Sequence, residues 1–571
     1  MTTLSSIQTI ELQQPSILTI KPSTHHNDTH APSPRLSENR QDVDDANVNT
    51  ASSYVLSLDR APVSNLKLTL TILQPCVINF FGSFTSGTIT VGLPTIASSL
   101  SLQRSLYTWP ASVYALTSGA MLFSRVGISP LTLLIAGSVG DIIGAHPVEL
   151  MRIFLLRLFA LICGFAQSGV QLVVFRALQG IALAMHIPAS VALITASIPA
   201  GRARNIGFGC IGMSQPLGYP FGLVLSGLMI EKAGWRSSFY LAGAGILLGA
   251  VTSWATLPKQ KNESELTGLA LLKKLRNEVD WVGGSVASAG LTMLSYVLAT
   301  ISADLSTIRS STTIALLCVS LCLLIAFPFW MYYREKKGKS ALIPNSLWRN
   351  LQFASTCAMV ALTYGVMNSM PLFSSLYFQE IQNHSTLTTS LYLLPNMVVS
   401  VLLNLSVDVF VHRLPARWLI AISSLLCSFA PLMMALVNPQ WRYWYLEVWA
   451  QVLAPMGRGV LYTVGLIIMS DSFPEKTQAL AGAVFSTVGQ FGASLGVGIC
   501  QVVALGVMGP NGDSDMNDDS RDAGPGSEDI GDMLKGYRST FWTMFGSTLL
   551  CVLIAMVGLR KSGNIGVGRR T

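Results

Sequence analysis

Long apolar segments separated by short polar connections make up most of the chain after residue 66. A segment of about 20 apolar residues can cross a bilayer as a helix, because a helix satisfies its own backbone polar groups. The pattern predicts fourteen such spans, at residues 68–91, 109–140, 148–166, 172–198, 206–229, 237–257, 282–303, 313–333, 354–377, 390–411, 418–437, 445–470, 480–507 and 540–559. The expected fold class is therefore an all-α polytopic membrane protein with both termini on one side.

Charge distribution predicts which side that is. The loops on the side of the termini carry well over twice as many lysines and arginines as the opposite loops. Cytoplasmic loops of membrane proteins are enriched in these residues, so both termini are expected in the cytoplasm. The linker 258–280 is basic and contains the amphipathic run Leu271–Arg276, which is expected on the membrane surface. The acidic, glycine-rich stretch 509–537 is expected to be a flexible exoplasmic loop.

Composition agrees with a membrane protein. Charged residues make up 12% of the chain and the mean hydropathy is +0.50, whereas soluble domains carry about 25% charged residues. The net charge of +8 follows from the one-sided loops and predicts no nucleic-acid partner. The cysteines all lie in apolar segments, where cysteine acts as a small hydrophobic residue, so no disulfide is expected.

An internal repeat divides the chain. Ser197-Ile198-Pro199 is matched 275 positions later by Ser472-Phe473-Pro474, and the glycine and glutamine that follow, Gly207 and Gln215, are matched without a gap by Gly482 and Gln490. Each copy joins two apolar segments, the fourth and fifth spans or the twelfth and thirteenth. Parallel repeats of six-helix halves occur in a large class of transporters. The repeat therefore predicts two six-helix bundles, with spans 7 and 8 as an inserted pair.

The resulting domain boundaries are a disordered cytoplasmic tail (1–66), an N-terminal six-helix bundle (67–257), an amphipathic cytoplasmic linker (258–280), an inserted helix pair (281–333), a cytoplasmic loop (334–352), a C-terminal six-helix bundle (353–560) and a cytoplasmic tail (561–571). The N-terminal tail is rich in polar residues and proline, which is typical of disorder. Its histidines lack carboxylate or cysteine neighbours, so no metal site is predicted.

Three short motifs carry candidate chemistry. Gly137, Asp141 and Gly144 lie where the second span ends, and an aspartate there can pair with a cation or with a helix N-terminus. In Arg176-Ala177-Leu178-Gln179-Gly180, an arginine lies inside an apolar helix, a costly position that usually marks a functional site. The fifth span contains a motif of glycines and proline, Gly212, Pro216, Gly218 and Gly222. Such residues permit close helix packing in a membrane.

These motifs resemble those of the major facilitator superfamily, specifically its fungal fourteen-span drug:proton antiporter branch, over residues 68–560. The resemblance implies a gating role for the first motif, proton coupling for Arg176, Gln179 and Gly180, and an antiporter role for the fifth-span motif. Each has a simpler alternative: a helix-terminal aspartate, an arginine reaching the membrane edge, and packing of small residues. Ala145-His146-Pro147 replaces the basic pair that usually follows the gating motif, which weakens the expected latch.

The residue that would carry the proton is not evident from the sequence. Carboxylates within the spans are few; Glu447 lies near the outer end of the twelfth span, and Arg458 lies deeper in the same span. Eleven residues at ~1.5 Å each separate them by about 16 Å, so they are not expected to pair. The branch commonly has an aspartate near Gly459, and this chain has none there.

The resemblance implies a secondary transporter that exports an amphipathic organic compound, a xenobiotic or a secondary metabolite, in exchange for protons. It implies no enzyme activity, no cofactor and no metal. The partners would be a small-molecule substrate, protons and the lipid bilayer, and the chain would act as a monomer in the plasma membrane or the vacuolar membrane. Two alternatives remain: proton-coupled uptake of a small nutrient or siderophore, and a non-transporting membrane sensor.

Two further features depend on this topology. Asn383-His384-Ser385 is the acceptor triplet for glycosylation in a predicted exoplasmic loop, so Asn383 is a candidate site. Residues 121–132 lengthen the second span beyond the ~20 residues needed to cross the membrane. Without them, Trp109–Ala120 would join Leu133–Asp141 as one helix. This segment is either a retained short intron or mis-set exon boundary, or an inserted, broken helix that lines a cavity.

Overall fold

The structure is a computed structural model, and it describes residues 65–102, 106–126, 145–198, 202–256, 281–303, 305–337, 345–411, 415–472, 475–508 and 527–560. Every predicted span coincides with a helix in this part of the chain. By length and composition, seven helices in the described ranges are long and apolar enough to cross a membrane. The protein is an all-α polytopic membrane protein.

Six helices form the first half: α1 (Asn65–Ser99), α2 (Trp109–Val126), α3 (Ala145–Gly164), α4 (Gly169–Ser197), α5 (Arg202–Ala233) and α6 (Trp235–Thr256). Helix α1 packs along α5 and α6, while α2 packs on α4 and α3 packs on both α4 and α6. Helix α2 continues six residues into the extra segment 121–132, and the remainder of that segment lies outside the described residues.

The inserted pair consists of α7 (Trp281–Ala303) and α8 (Ser311–Lys336), joined through a 3-10 turn at Leu305–Arg309. Helix α7 contacts α2 of the first half and α14 of the second half, which is defined below. Only 11% of the apolar window in α8 is buried within the protein, so α8 presents most of its surface outward, as a lipid-facing helix does.

The second half contains α9 (Leu351–Leu376), α10 (Thr386–Val411), α11 (Ala416–Leu436), α12 (Glu447–Leu453), α13 (Met456–Ser472), α14 (Glu475–Met508) and α15 (Ser527–Gly558). Helix α9 follows a single helical turn at Asn345–Trp348 and continues into a π-helical turn, Tyr377–Ile381. The predicted twelfth span is split into α12 and α13 before Met456, where Pro455 lacks the backbone N–H that a continuous helix requires.

The two halves repeat the same arrangement. Helices α4 and α13 end at Ser197 and Ser472, the positions that the sequence repeat aligns. In the first half α5 packs on α1, and in the second half α14 packs on α9. Glycines permit both approaches: a Cβ at Gly492 would lie 2.2 Å from the Ala361 carbonyl oxygen, and one at Gly496 would lie 2.3 Å from the Gly365 Cα. The repeat is therefore visible in the packing as well as in the sequence.

The expectation of a flexible loop over 509–537 is wrong for its last part. Helix α15 begins at Ser527, more than ten residues before the predicted fourteenth span. Ile530, Met533 and Tyr537 recur at helical spacing and lie against the core, which outweighs the acidic residues of the same turns. Residues 509–526, the N-terminal tail, the linker 258–280 and residues 561–571 lie outside the described residues.

Candidate functional site

Arg176 of α4 is almost completely enclosed, with 1% of its surface exposed. Its Nη1 donates to Gln179 Oε1 (2.8 Å) and to Thr85 Oγ1 (3.1 Å), and its Nε donates to the Pro110 carbonyl oxygen (3.1 Å). The guanidinium carbon lies 4.2 Å from the centre of the Tyr114 ring. We call these five residues the Arg176 cluster. They come from α1, α2 and α4, so the arginine joins three helices and does not extend to the membrane edge.

The cluster stabilises a buried charge with neutral groups. Burial of an unpaired charge is costly, and here hydroxyl, amide, carbonyl and ring groups together take the place of water. Gln179 is positioned by its own bond, since its Nε2 donates to Thr85 Oγ1 at 3.2 Å. The groups that contact the Arg176 guanidinium in the described residues are uncharged. An arginine remains protonated, so the cluster supplies a fixed positive charge and cannot itself carry a proton across the membrane.

Gly180 explains how the cluster closes. A Cβ at this position would lie 2.3 Å from Thr117 Oγ1 and 2.5 Å from the Tyr114 carbonyl oxygen, so only glycine lets α4 approach α2 this closely. This approach occurs one helical turn after Arg176 and places the Tyr114 ring over the guanidinium group. The three residues that the resemblance grouped, Arg176, Gln179 and Gly180, thus belong to one local arrangement.

The fifth-span motif divides into two parts. A Cβ at Gly218 would lie 2.1 Å from the Phe80 carbonyl oxygen, and one at Gly222 would lie 2.3 Å from the Phe84 carbonyl oxygen, so both glycines press on the backbone of α1. Gly212 is exposed, and a Cβ there would have no neighbour within 4 Å. Pro216 lies between them in the same helix, and its side chain is outside the described ones.

The two halves meet at one end of the bundle. We call this end, which holds Val91, Glu231 and Thr386, the outer end, because the charge pattern predicts that it faces away from the cytoplasm. Gln379 donates to the Val91 carbonyl oxygen (2.9 Å), and Ser390 donates to the Leu223 carbonyl oxygen (2.9 Å). The Leu387 amide at the start of α10 donates to Glu231 Oε1 (3.0 Å). Each bond joins the first half to the second.

Helix α5 touches α10 near the outer end but has no close neighbour on the same face toward the opposite, inner end. A Cβ at Gly227 of α5 would lie 2.2 Å from Ser390 Oγ of α10. Gly209 lies 18 residues earlier, about five helical turns, and so on the same face of α5. Gly209 is exposed, and a Cβ there would have no neighbour within 4 Å. The described helices are therefore in contact at the outer end, whereas the same face of α5 has no close neighbour around Gly209 toward the inner end.

A cation and several aromatic rings lie between the two halves. Arg458 of α13 is exposed, and its guanidinium carbon lies 4.9 Å from the centre of the Tyr364 ring. Tyr462, one turn further along α13, lies 6.3 Å from the same ring. Tyr219 of the opposite half is within electrostatic reach of Arg458, and it bonds with Thr90 at 2.9 Å. Arg458 thus lies between the halves and does not face lipid.

A second polar group lies inside the second half near the outer end. Glu447, at the start of α12, is 1% exposed, and its Oε1 accepts a hydrogen bond from Gln382 Nε2 at 2.6 Å. Its Oε2 is buried and has no hydrogen-bond partner among the described residues. Gln382 directly follows the π-helical turn Tyr377–Ile381. The sequence placed Glu447 near the outer end of the span but gave no sign that it is enclosed.

The remaining predicted sites have simpler surroundings. Asn383 is exposed in the short connection between the π-helical turn and α10, and its φ of 54° is one that asparagine adopts more readily than most residues. The gating-motif residues Gly137, Asp141 and Gly144 lie outside the described residues. Sequence reasoning missed Thr85, Tyr114 and Pro110, which complete the Arg176 cluster, because small polar and aromatic residues in apolar helices carry no distinctive signal.

Comparison with known proteins identifies the fold and the relatives. The family model described as Major Facilitator Superfamily matches residues 76–497. A protein described as MFS-type transporter 1, from Pyricularia oryzae, is 36% identical over 88% of this chain and 85% of its own length. The Methylenomycin A resistance protein of Bacillus subtilis is 25% identical over 73% of this chain and 83% of its own length.

Solved structures give the same architecture. A bacterial homologue of the human lysosomal transporter Spinster, in an inward-facing and unoccupied conformation, aligns with a TM-score of 0.60. The alignment covers 88% of this chain and 98% of the homologue at 15% sequence identity. A likeness at this identity concerns the fold alone: two six-helix bundles, here with an inserted helix pair.

Proposed function

Because this chain belongs to the Major Facilitator Superfamily, we propose that it is a secondary active transporter that exports an amphipathic organic compound in exchange for protons. The cargo would be a xenobiotic or a secondary metabolite, and the chain would belong to the fourteen-span drug:proton antiporter branch. It would act in the plasma membrane as a monomer, with both termini in the cytoplasm. Its partners would be the cargo, protons and the bilayer, and no cofactor is needed.

The observation that carries this proposal is the packing of α5 on α1. Obligatory exchange requires that protons do not leak between the two access states of the transporter. Gly218 and Gly222 bring the backbones of α5 and α1 into direct contact, which leaves no room for a water file between them. The motif that resembles the antiporter signature therefore has the packing that an antiporter needs.

An exporter must accept cargo from the cytoplasm. Arg458 and the tyrosines around it would form part of that acceptance site, since family members bind cargo between the two halves. A fixed positive charge beside aromatic faces disfavours organic cations and favours neutral or acidic aromatic compounds. The Bacillus subtilis relative is a methylenomycin A resistance protein, which is consistent with export of an organic compound.

Transport into inside-out vesicles tests the proposal. The vesicle lumen is made acidic, and accumulation of carboxyfluorescein, an aromatic anion, is compared with that of ethidium, an aromatic cation. We expect accumulation of carboxyfluorescein that a protonophore abolishes and that Arg458→Gln reduces. Accumulation driven by an acidic exterior would instead indicate that cargo and protons move in the same direction, which in the cell corresponds to proton-coupled uptake. Binding of the dye without flux at any gradient would favour the membrane sensor.

A further inference from the structure

We propose that Glu447 is the proton-binding carboxyl of the second half, and that the π-helical turn Tyr377–Ile381 transmits its protonation to the contact between the halves. This inference rests on the proposed proton exchange. Proton exchange requires a group that binds and releases protons, and the proposal names that group. The Arg176 cluster cannot supply it, because an arginine does not release its proton.

The first argument is the incomplete bonding of the carboxyl group. Glu447 is enclosed, one oxygen accepts from an uncharged amide, and Oε2 has no partner within the described residues. An ionised carboxylate in this position would leave a charge in a region without water, which is strongly unfavourable. Binding a proton on Oε2 removes the charge without disturbing the bond from Gln382. The enclosed geometry therefore fits the protonated acid.

The second argument concerns the neighbouring charges. The titratable and charged groups on the elements around Glu447 include Tyr377 and Glu380 on the π-helical turn, His384 just after it, Arg442 and Tyr443 in the loop before α12, Tyr392 on α10, Arg417 and Cys427 on α11, and Arg538 on α15. Arg538 donates to the Val437 carbonyl oxygen at 2.8 Å, and no ion pair with Glu447 is recorded in the described ranges. Glu380 accepts from the Tyr537 hydroxyl at 2.6 Å. Glu447 therefore has no bonded cation to hold it ionised.

The third argument is the path from Glu447 to the first half. Gln382 binds Glu447, and three residues earlier on the same turn Gln379 donates to the Val91 carbonyl oxygen of α1. A π-helical turn is a local irregularity that often occurs at functional sites, and it can change its hydrogen-bond register at low cost. Ionisation of Glu447 demands water or new donors, so the outer end must open to hydrate it. Movement of Gln382 would then withdraw Gln379 from Val91.

The proposal has a defined sign. Protonated Glu447 fits the state that is closed at the outer end, so acid should favour inner opening. Deprotonation should favour outer opening and close the inner end. In an exporter this order lets a proton taken up from outside return the transporter to the state that accepts cargo from the cytoplasm.

The test uses the inner opening as a reporter and needs no cargo. Gly209→Cys is introduced in a background in which the exposed Cys210, Cys318 and Cys322 are replaced by serine, and the full-length protein in nanodiscs is labelled with a charged maleimide between pH 5 and pH 9. Gly209 is exposed on the face of α5 that meets α10 at Gly227, so we expect its labelling rate to report inner opening. We expect labelling about five-fold or more faster at acid than at alkaline pH. With Glu447→Gln added, labelling should stay fast at every pH.

Glu380→Gln is the matched control. It removes a carboxyl from the same turn, but Glu380 is only half-buried, whereas Glu447 is enclosed, and its Oε2 accepts from the Tyr537 hydroxyl, so the pH dependence should remain. An unchanged pH dependence in Glu447→Gln would overturn the proposal, and so would its loss in Glu380→Gln alone. Infrared difference spectra between the two pH values give an independent readout: the carbonyl band of a buried protonated acid should disappear in Glu447→Gln. Its persistence there would also overturn the proposal.

Failure of this inference and failure of the proposed function are distinguishable. A protein whose labelling follows Glu447 but which moves no cargo against a proton gradient would keep this inference and lose the exchange function. A protein that exchanges cargo for protons while Glu447→Gln behaves as the parent would keep the function and lose the inference.

Discussion

The packing of α5 on α1 gives a prediction whose size follows from the structure. In Gly222→Ala the new Cβ would lie 2.3 Å from the carbonyl oxygen of Phe84 and 2.8 Å from the Cα of Phe84, whereas ordinary van der Waals contacts begin near 3.4 Å. Helix α5 must therefore move away from α1 by about 1 Å, because the obstacle is backbone and cannot rotate aside. Overpacking of this kind costs typically 1–3 kcal/mol.

Gly212→Ala supplies the matched control within the same helix and motif. A Cβ at Gly212 would meet nothing within 4 Å, so the change adds only the intrinsic preference of alanine for a helix, about 1 kcal/mol in favour of the variant. Gly222→Ala gains the same preference, so the difference between the two variants isolates the packing cost. We expect Gly222→Ala to be less stable than Gly212→Ala by about 1–3 kcal/mol.

The measurement has two parts. Thermal or denaturant unfolding of both purified variants in the same detergent gives the difference in stability. Proton flux into liposomes in the absence of cargo reports the seal between α5 and α1, and we expect a faster leak for Gly222→Ala alone. Equal stability and equal leak in the two variants would refute the reasoning, because the close approach would then have no energetic weight.

Further predictions concern other parts of the chain. Arg176→Ala should abolish proton-coupled export while the protein still reaches the membrane, and near-normal export would reduce Arg176 to a packing residue. Asn383→Gln should remove any glycan detected as a shift in electrophoretic mobility, whereas a glycan in the linker 258–280 would reverse the orientation. Deletion of residues 121–132 should raise export above that of the full chain; equal export, with the segment present in the dominant transcript, would refute this. Hydrogen bonds from Ser385 and from the Leu387 amide lower the pKa of Glu231, so the outer contact should persist at neutral pH and weaken only as pH falls through that lowered pKa. Glu231→Ala removes the acceptor for the Leu387 amide and so weakens the closed outer end. Labelling of Gly209→Cys should then slow by about five-fold, the change expected for loss of a helix-capping acceptor.

The sequence-based reading of the spans succeeded where hydropathy is continuous and was less accurate where chemistry interrupts it. Helices α9 and α11 lie where the apolar runs predict them, within three residues at either end. Helix α15 begins earlier than predicted, because Ile530, Met533 and Tyr537 pack against the core at helical spacing and support a helix in a polar segment. The twelfth span is divided at Pro455, a break that hydropathy averages cannot show.

The candidate site was predicted only in part. Arg176, Gln179 and Gly180 were identified because a charge in an apolar helix is conspicuous, and the structure brings them together with Thr85, Tyr114 and Pro110. Those three partners lie 62 to 91 residues away in the chain, and nothing local marks them. The fifth-span glycines looked equivalent in the sequence, yet Gly218 and Gly222 press on α1 while Gly212 faces open space.

The sequence by itself determined the class of the protein, the succession of its helices and its internal repeat, because these depend on hydropathy and register along the chain. Each is a property of consecutive residues, and a helix in lipid satisfies its backbone locally. Only the tertiary structure decided which polar side chains are enclosed and which groups they bind. Glu447 is enclosed where α12 packs against α10 and α11, and one of its oxygens has no donor among the described residues. Helix α5 touches α10 at Gly227 but has no close neighbour at Gly209 on the same face. These features depend on distances between helices that are distant in the sequence, and hydropathy carries no information about such distances.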